Sequence, residues 1–195
     1  MASAVQTIRF EHFNIASVLS ALSFLLDEIR GGRLEPDFEL LSCIVTYLER
    51  YPEVFHHPKE EDYLFKAMRR RDPAIGRVLD LVHDEHVRGG QMLAALRAAL
   101  ERYQRDPSGF SAFNAAASDY IAFERRHMAR EERELLPQAM RILHEEDWAE
   151  IDAAFASNED PLFGRNRRRD FQRLVEHILE LAPSPLGFKT REAVG

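Results

Sequence analysis

The chain has 195 residues, of which 45% are hydrophobic and 30% are charged, and its formal net charge is -7. This length and hydrophobic content suit one domain with a buried core, while the acidic balance argues against nucleic acid as a partner, because phosphate contacts need clustered lysine and arginine. The sequence shows neither a signal peptide nor an apolar run long enough to span a membrane, so we expect a soluble cytoplasmic protein without membrane attachment.

Apolar residues recur at alternating spacings of three and four, which predicts amphipathic helices almost throughout the chain. Glycine and proline interrupt this pattern at residues 31–32, 72–73 and 106–109, which separates four long helices. Pro137 is expected to kink or end the fourth helix. Four amphipathic helices with short connections favour an antiparallel up-down four-helix bundle, so the predicted fold class is all-α.

After the fourth helix the periodic pattern weakens. Residues 158–166 are typical of a loop, and residues 167–181 are typical of a shorter amphipathic helix followed by a tail. We therefore predict a bundle domain with a metal site over residues 1–150, and a C-terminal extension with a short helix over residues 151–195. The apolar face of that short helix could pack on the bundle or support a homodimer.

Three histidines lie on the predicted inner faces of three different helices, at His12, His86 and His127. A buried imidazole must find a hydrogen-bond partner or lose stability, and a single one is usually a satisfied core residue. Three imidazoles that face one bundle interior instead indicate a metal site, because a bundle core can bring ligands together from several helices.

Carboxylates sharpen this prediction. Glu131 follows His127 by four residues, so the two side chains are neighbours on one helix face. An unpaired carboxylate on an inner face is costly, and coordination of a cation removes that cost. Imidazole and carboxylate ligands together suit iron, manganese or zinc, and several of each suit a pair of metal ions, for which iron is our preference.

The second helix repeats this spacing in two overlapping ways. His56 and Glu60 align without gaps on the histidine and glutamate of the fourth helix, which favours them as ligands. Pro58 can shift the helical phase, however, and on the phase of the downstream residues His57 and Glu61 would be the inward pair. Both pairs stay open as alternatives.

The order His, His-x3-Glu, His, His-x3-Glu resembles that of hemerythrin-like (HHE cation-binding) domain proteins. The resemblance covers roughly residues 8–141, and the downstream segment is similar to an extension found in one bacterial branch of that family. It implies two iron ions, joined by an oxo or hydroxo bridge and by the two glutamates. The motifs that carry the resemblance are Phe10-Glu11-His12, the stretch from His56 to Phe65, Asp84-Glu85-His86, and His127 with Glu131-Glu132.

The chain departs from the oxygen-carrying members of that family, which have His-x3-His in the third helix and end the fourth-helix motif in aspartate. Here the residue four after His86 is Gly90, so one imidazole is missing unless His83 replaces it. A missing ligand would leave one iron more open, which favours peroxide or nitric oxide over reversible storage of dioxygen. The predicted metal ligands are His12, His56, Glu60, His86, His127 and Glu131, with His57, Glu61, His83 and Tyr120 as alternative or supporting residues.

These observations predict a non-heme di-iron protein that binds or senses a small molecule such as dioxygen, nitric oxide or peroxide. One alternative is a di-iron enzyme, namely a peroxidase, an oxidase, a nitric oxide reductase or an iron–sulfur repair factor. Another is a structural bundle without metal, whose histidines only bond to carboxylates. No nucleotide-binding loop, nucleophile elbow or cysteine pair indicates a second catalytic apparatus, which favours binding over turnover.

Overall fold

The computed structural model describes residues 3–156, and within this range the chain is helical apart from short connections, with no β-strand. The predicted all-α bundle is therefore confirmed. None of the helices in this range is both long and apolar enough to cross a membrane. The α-helices are α1 (Ser3–Arg30), α2 (Phe38–Tyr51), α3 (His57–Lys59), α4 (Lys66–Arg71), α5 (Gly76–Arg105), α6 (Phe110–Arg130), α7 (Leu136–Ile142) and α8 (Glu145–Ala156).

Three π-helical turns join several of these helices end to end. Pro52–His56 and Glu60–Phe65 connect α2, α3 and α4, so the second helix of the bundle runs without a break over residues 38–71. Glu131–Leu135 connects α6 to α7, so the fourth helix continues past Pro137. The proline does not end the helix because it follows a turn in which the hydrogen-bond register has already changed.

Local signals in the sequence account for the connections between the helices. The side chain of Asp37 accepts a hydrogen bond from the Leu40 N–H and so caps α2. Asp72 and Asp106 cap the short 3-10 turns that precede α5 and α6 in the same way. Gly32 has a positive φ of 64°, which allows the chain to reverse direction after α1.

The buried apolar residues form two clusters, one towards each end of the bundle. In α1 the first cluster begins at Ile15 and the second ends at Ile8, so His12 lies between them. His86 in α5 likewise lies between Val82 and Leu93. The inward-facing polar residues therefore occupy a layer that is enclosed by apolar side chains on both sides.

The last described helix, α8, packs against the bundle and extends beyond the predicted domain boundary at residue 150. Ile151 and Phe155 are buried in the second apolar cluster, and Asp152 accepts hydrogen bonds from the first N–H groups of α1. These contacts hold residues 151–156 of α8 against α1 and the second apolar cluster. The predicted loop, the helix over residues 167–181 and its proposed role in a homodimer lie outside the described residues.

Asp147 anchors the start of α8 to the end of the second bundle helix. Its carboxylate is buried and accepts hydrogen bonds from Arg70 at 2.7 Å and from Arg71 at 2.6 Å. It also accepts a hydrogen bond from the backbone N–H of His144, the residue before α8, as an acidic side chain in the first helical turn does in a capping box.

We expect Asp147→Ala to lower the free energy of unfolding by about 2 kcal/mol, because it removes a helix cap and two charge-assisted hydrogen bonds. Urea denaturation followed by circular dichroism measures this change. Asp119→Ala, which removes an exposed aspartate from α6, is the matched control and should leave stability nearly unchanged. Equal stability of the two variants would contradict the anchoring role.

Candidate metal centre

The inward-facing histidines and glutamates form two adjacent groups within the polar layer. All of them are buried, and within each group the candidate ligand atoms lie within 4.8 Å of one another. The first group contains His12, His56, Glu60 and Glu131, and the second contains His57, His86 and His127.

The second bundle helix contributes two successive histidines, although an ideal α-helix would point them about 100° apart. The π-helical turn that ends at His56 and the one that begins at Glu60 change the helical phase on both sides of the pair. As a result His56 joins the first group, while His57 stacks on His86 with ring centroids 4.1 Å apart. Both histidines, which the sequence left as alternatives, therefore face the interior.

Glu61 and His83 lie outside both groups. Oε1 of Glu61 is 2.9 Å from Nδ1 of His86 and 3.0 Å from Nδ1 of His83, and the side chain of His83 is 57% exposed. His83 is about 60° away from His86 around α5, which turns it towards solvent. The third imidazole of the second group comes from His57 and not from His83.

Both inward glutamates belong to the first group and also reach a histidine of the second. Oε1 of Glu60 is 3.7 Å from Nε2 of His56, and Oε2 of Glu60 is 3.5 Å from Nε2 of His86. Oε2 of Glu131 is 3.1 Å from Nε2 of His12, while its Oε1 is 3.4 Å from Nε2 of His86. Each carboxylate therefore presents one oxygen to each group, as a carboxylate bridging two ions would.

Each of the five inward histidines has a carboxylate beside Nδ1, and in the four histidines other than His57 the Nε2 atom faces a central glutamate. Histidines that bind metals usually donate their other ring N–H to such a group, which fixes the tautomer and the ring orientation. The pairs are His12 with Glu132 at 3.0 Å, His56 with Glu11 at 2.7 Å, His57 with Glu53 at 3.6 Å, His86 with Glu61 at 2.9 Å and His127 with Glu85 at 3.2 Å.

Sequence reasoning missed most of these outer carboxylates, although a signal for four of them was present. Each is the immediate chain neighbour of an inward-facing residue, and it projects from its helix towards a histidine of another helix. Glu11, for example, precedes His12 but contacts His56. The four neighbouring carboxylates are Glu11, Glu61, Glu85 and Glu132.

Several buried atoms that face the centre have no hydrogen-bond partner in the structure. They are both carboxylate oxygens of Glu60 and of Glu131, and Nε2 of His86 and of His127. Buried polar atoms are nearly always paired, so a convergent set of unpaired acceptors is unusual. Because neutral imidazole and carboxylate are good ligands for iron, manganese and zinc, this donor set fits a cation.

The two central glutamates have opposite electrostatic environments without a cation. Burial acts to raise the pKa of Glu131, but the charge of His127 and the close approach of His12 and His86 outweigh burial and hold this pKa well below its ordinary value. Burial, and then the negative charge of Glu131, raises the pKa of Glu60 well above its ordinary value. Without a cation, the pKa values of the two central glutamates are therefore shifted in opposite directions.

The pKa values of the inward imidazoles are also shifted in different directions. Burial acts to lower the pKa of His12 and of His86, but the nearby carboxylates, Glu131 first among them, outweigh burial and raise both values to about 9. Burial, and then the neighbouring His86, lowers the pKa of His57 well below its ordinary value. Protons on His12 and His86 thus occupy the centre when no cation does.

Tyr120 lies in the first apolar cluster and belongs to neither group. Burial, and then the nearby Glu124 carboxylate, raises the pKa of its phenol well above its ordinary value. The position is that of a core aromatic residue whose hydroxyl adjoins a buried glutamate. Glu124 itself is only 2% exposed, and its burial was not predicted from the sequence.

Comparison with known proteins identifies a family. A family model described as "Hemerythrin HHE cation binding domain" matches residues 3–139. The matched range contains every residue of the two groups and all five outer carboxylates. No curated protein and no solved structure matches the chain.

Proposed function

Because the chain belongs to the hemerythrin HHE cation-binding domain family, we propose that it is a cytoplasmic non-heme di-iron protein that binds or senses a small molecule such as dioxygen, nitric oxide or peroxide. The family and the two groups of buried histidines and glutamates support cation binding. The observation that carries the proposal is the placement of Glu60 and Glu131, each with one oxygen towards either group.

In this proposal His12 and His56 would hold the first ion, and His57, His86 and His127 would hold the second. Glu60 and Glu131 would contribute to both. The outer carboxylates keep each Nε2 directed inwards, and the two apolar clusters keep bulk water away from the centre. Bound iron would supply redox and Lewis-acid chemistry for the small molecule.

In this proposal two imidazoles would serve the first ion and three would serve the second. The sequence suggested a missing imidazole near Gly90, on the side of His86, and from this a preference for peroxide or nitric oxide over dioxygen. His57 supplies an imidazole on that side, so the reason for the preference falls away. Dioxygen, nitric oxide and peroxide are therefore all retained as candidate ligands.

A purely structural role for the histidines explains the centre less well. Hydrogen bonds to the outer carboxylates would satisfy Nδ1 of each ring, as a structural bundle requires. They leave the inward Nε2 atoms of His86 and His127 and all four oxygens of the central glutamates unpaired. A cation is the partner that satisfies all of these atoms together.

The test is elemental analysis and absorption spectroscopy of the natively purified protein. We expect about two iron ions per chain and near-ultraviolet charge-transfer bands, both lost in His127→Ala. His144→Ala is the matched control, because the side chain of His144 is 63% exposed and lies outside both groups. Less than one equivalent of metal per chain would support the structural bundle instead. Sustained turnover of hydrogen peroxide or nitric oxide would indicate that the protein is an enzyme.

A further inference from the structure

Two successive glycines in α5 face the segment of the second bundle helix that carries Glu53. A Cβ atom added at Gly90 would lie 3.3 Å from Oε2 of Glu53, and one added at Gly89 would lie 3.9 Å from Oε1 of Glu53. The carboxylate of Glu53 therefore sits in a notch, formed by Gly89 and Gly90, that longer side chains would fill.

From this notch Glu53 approaches His57, one of the two successive histidines that the sequence left as alternatives. Its Oε1 lies 3.6 Å from Nδ1 of His57, slightly beyond hydrogen-bond length. Both atoms are buried and have no hydrogen-bond partner in the structure. No other group thus competes for Nδ1 of His57 within the described part of the chain, whereas the other four inward histidines have carboxylates within 3.2 Å.

We propose that Glu53 is a positioning residue of the metal centre, whose carboxylate, seated in the Gly89–Gly90 notch, orients His57 so that its Nε2 serves the second ion. The inference rests on the proposed function and extends it. The glycine notch, Glu53 and the imidazole of His57 then act together. Gly90 provides no ligand itself, but its small size admits the carboxylate that orients a ligand from another helix.

The surroundings of Glu53 indicate that it does little for the metal-free fold. A Cβ atom added at Gly89 would also lie 3.1 Å from Oε1 of Glu124, so the two carboxylates flank the same glycine and are neighbours of like charge. No arginine or lysine forms an ion pair with Glu53 among the described residues. A carboxylate kept for stability would have such a partner, whereas one kept to orient a metal-binding imidazole needs only the imidazole.

The experiment compares Glu53→Ala, Glu53→Gln and the control Glu134→Ala, which removes an exposed glutamate, by titration of the metal-free protein with cobalt(II). We expect the second cobalt ion to bind Glu53→Ala about 10- to 100-fold more weakly than the wild-type protein, with an altered visible spectrum. Glu53→Gln, which keeps a hydrogen-bond acceptor, should fall between them. The unfolding free energy of metal-free Glu53→Ala should be no lower than that of the wild-type protein.

Two results would overturn this inference alone. One is a Glu53→Ala protein that binds both ions with wild-type affinity and spectrum. The other is a loss of metal-free stability that accompanies the loss of affinity, because this would give Glu53 a structural role. A wild-type protein that binds no metal would instead overturn the proposed function itself, so the two failures can be told apart.

Discussion

Replacing Glu131 by glutamine is expected to weaken binding of both metal ions by more than about a hundredfold and also to destabilise the metal-free protein. The same change at Glu60 should weaken metal binding but stabilise the metal-free protein. Both side chains are fully buried, and each contacts histidines of both groups. Both substitutions are therefore expected to weaken metal binding. The opposite effects on stability follow from the opposite shifts of their pKa values.

In the metal-free protein the ionised Glu131 carboxylate is the counterion for the surrounding imidazolium groups. Removing one partner from a buried set of charges leaves the others uncompensated, which we expect to lower the free energy of unfolding by about 3 kcal/mol. Glu60 lies beside this negative charge, and burial and then Glu131 raise its pKa well above its ordinary value, so folding favours its protonated form. Glutamine resembles that protonated state, so Glu60→Gln removes the cost of protonation.

Urea denaturation in the presence of a chelator measures the metal-free stabilities, and titration with zinc measures the affinities. Glu134→Gln, at an exposed position on the same helical segment as Glu131, should change neither quantity. The proposed division of charge between the two central glutamates would be wrong if Glu60→Gln and Glu131→Gln shifted metal-free stability in the same direction.

The regular parts of the helices made much of this centre predictable from the sequence. His12, His86 and His127 recur in phase with the apolar stripe of their helices, and the structure places all three in the polar layer. A helix with a constant period allows such an inference, because about 100° of rotation per residue assigns each side chain to a face.

His57 could not be assigned in this way, because the period is not constant around it. The π-helical turns change the phase on both sides of Pro58, and a pattern that assumes 3.6 residues per turn admits one of the two successive histidines but not both. The pairing of Glu53 with the Gly89–Gly90 notch depends on which helices are neighbours. That information is absent from the periodicity of any single helix.

Raising the pH from about 6.5 to 9 is expected to destabilise the metal-free protein. The pKa of His12 and of His86 is about 9 in the folded chain, against an ordinary value of 6.5. Stability that comes from binding these protons is fully present below pH 6.5 and is lost as the pH rises towards 9. The raised pKa values of Glu60 and His127 act in the same direction. The melting temperature should fall on the order of 10 °C over this range.

Metal binding should respond to pH in the opposite direction, because cations and protons compete for the same ligand atoms. At least two protons leave when ions displace them from His12 and His86, so the combined affinity should rise by at least about a hundredfold per pH unit up to pH 9. Thermal unfolding with and without zinc at several pH values measures both trends. A metal-free melting temperature that rose between pH 7 and 9 would contradict this account. In Glu131→Gln the main counterion of both histidines is gone, so both trends should flatten together, which ties them to the centre and not to surface charge.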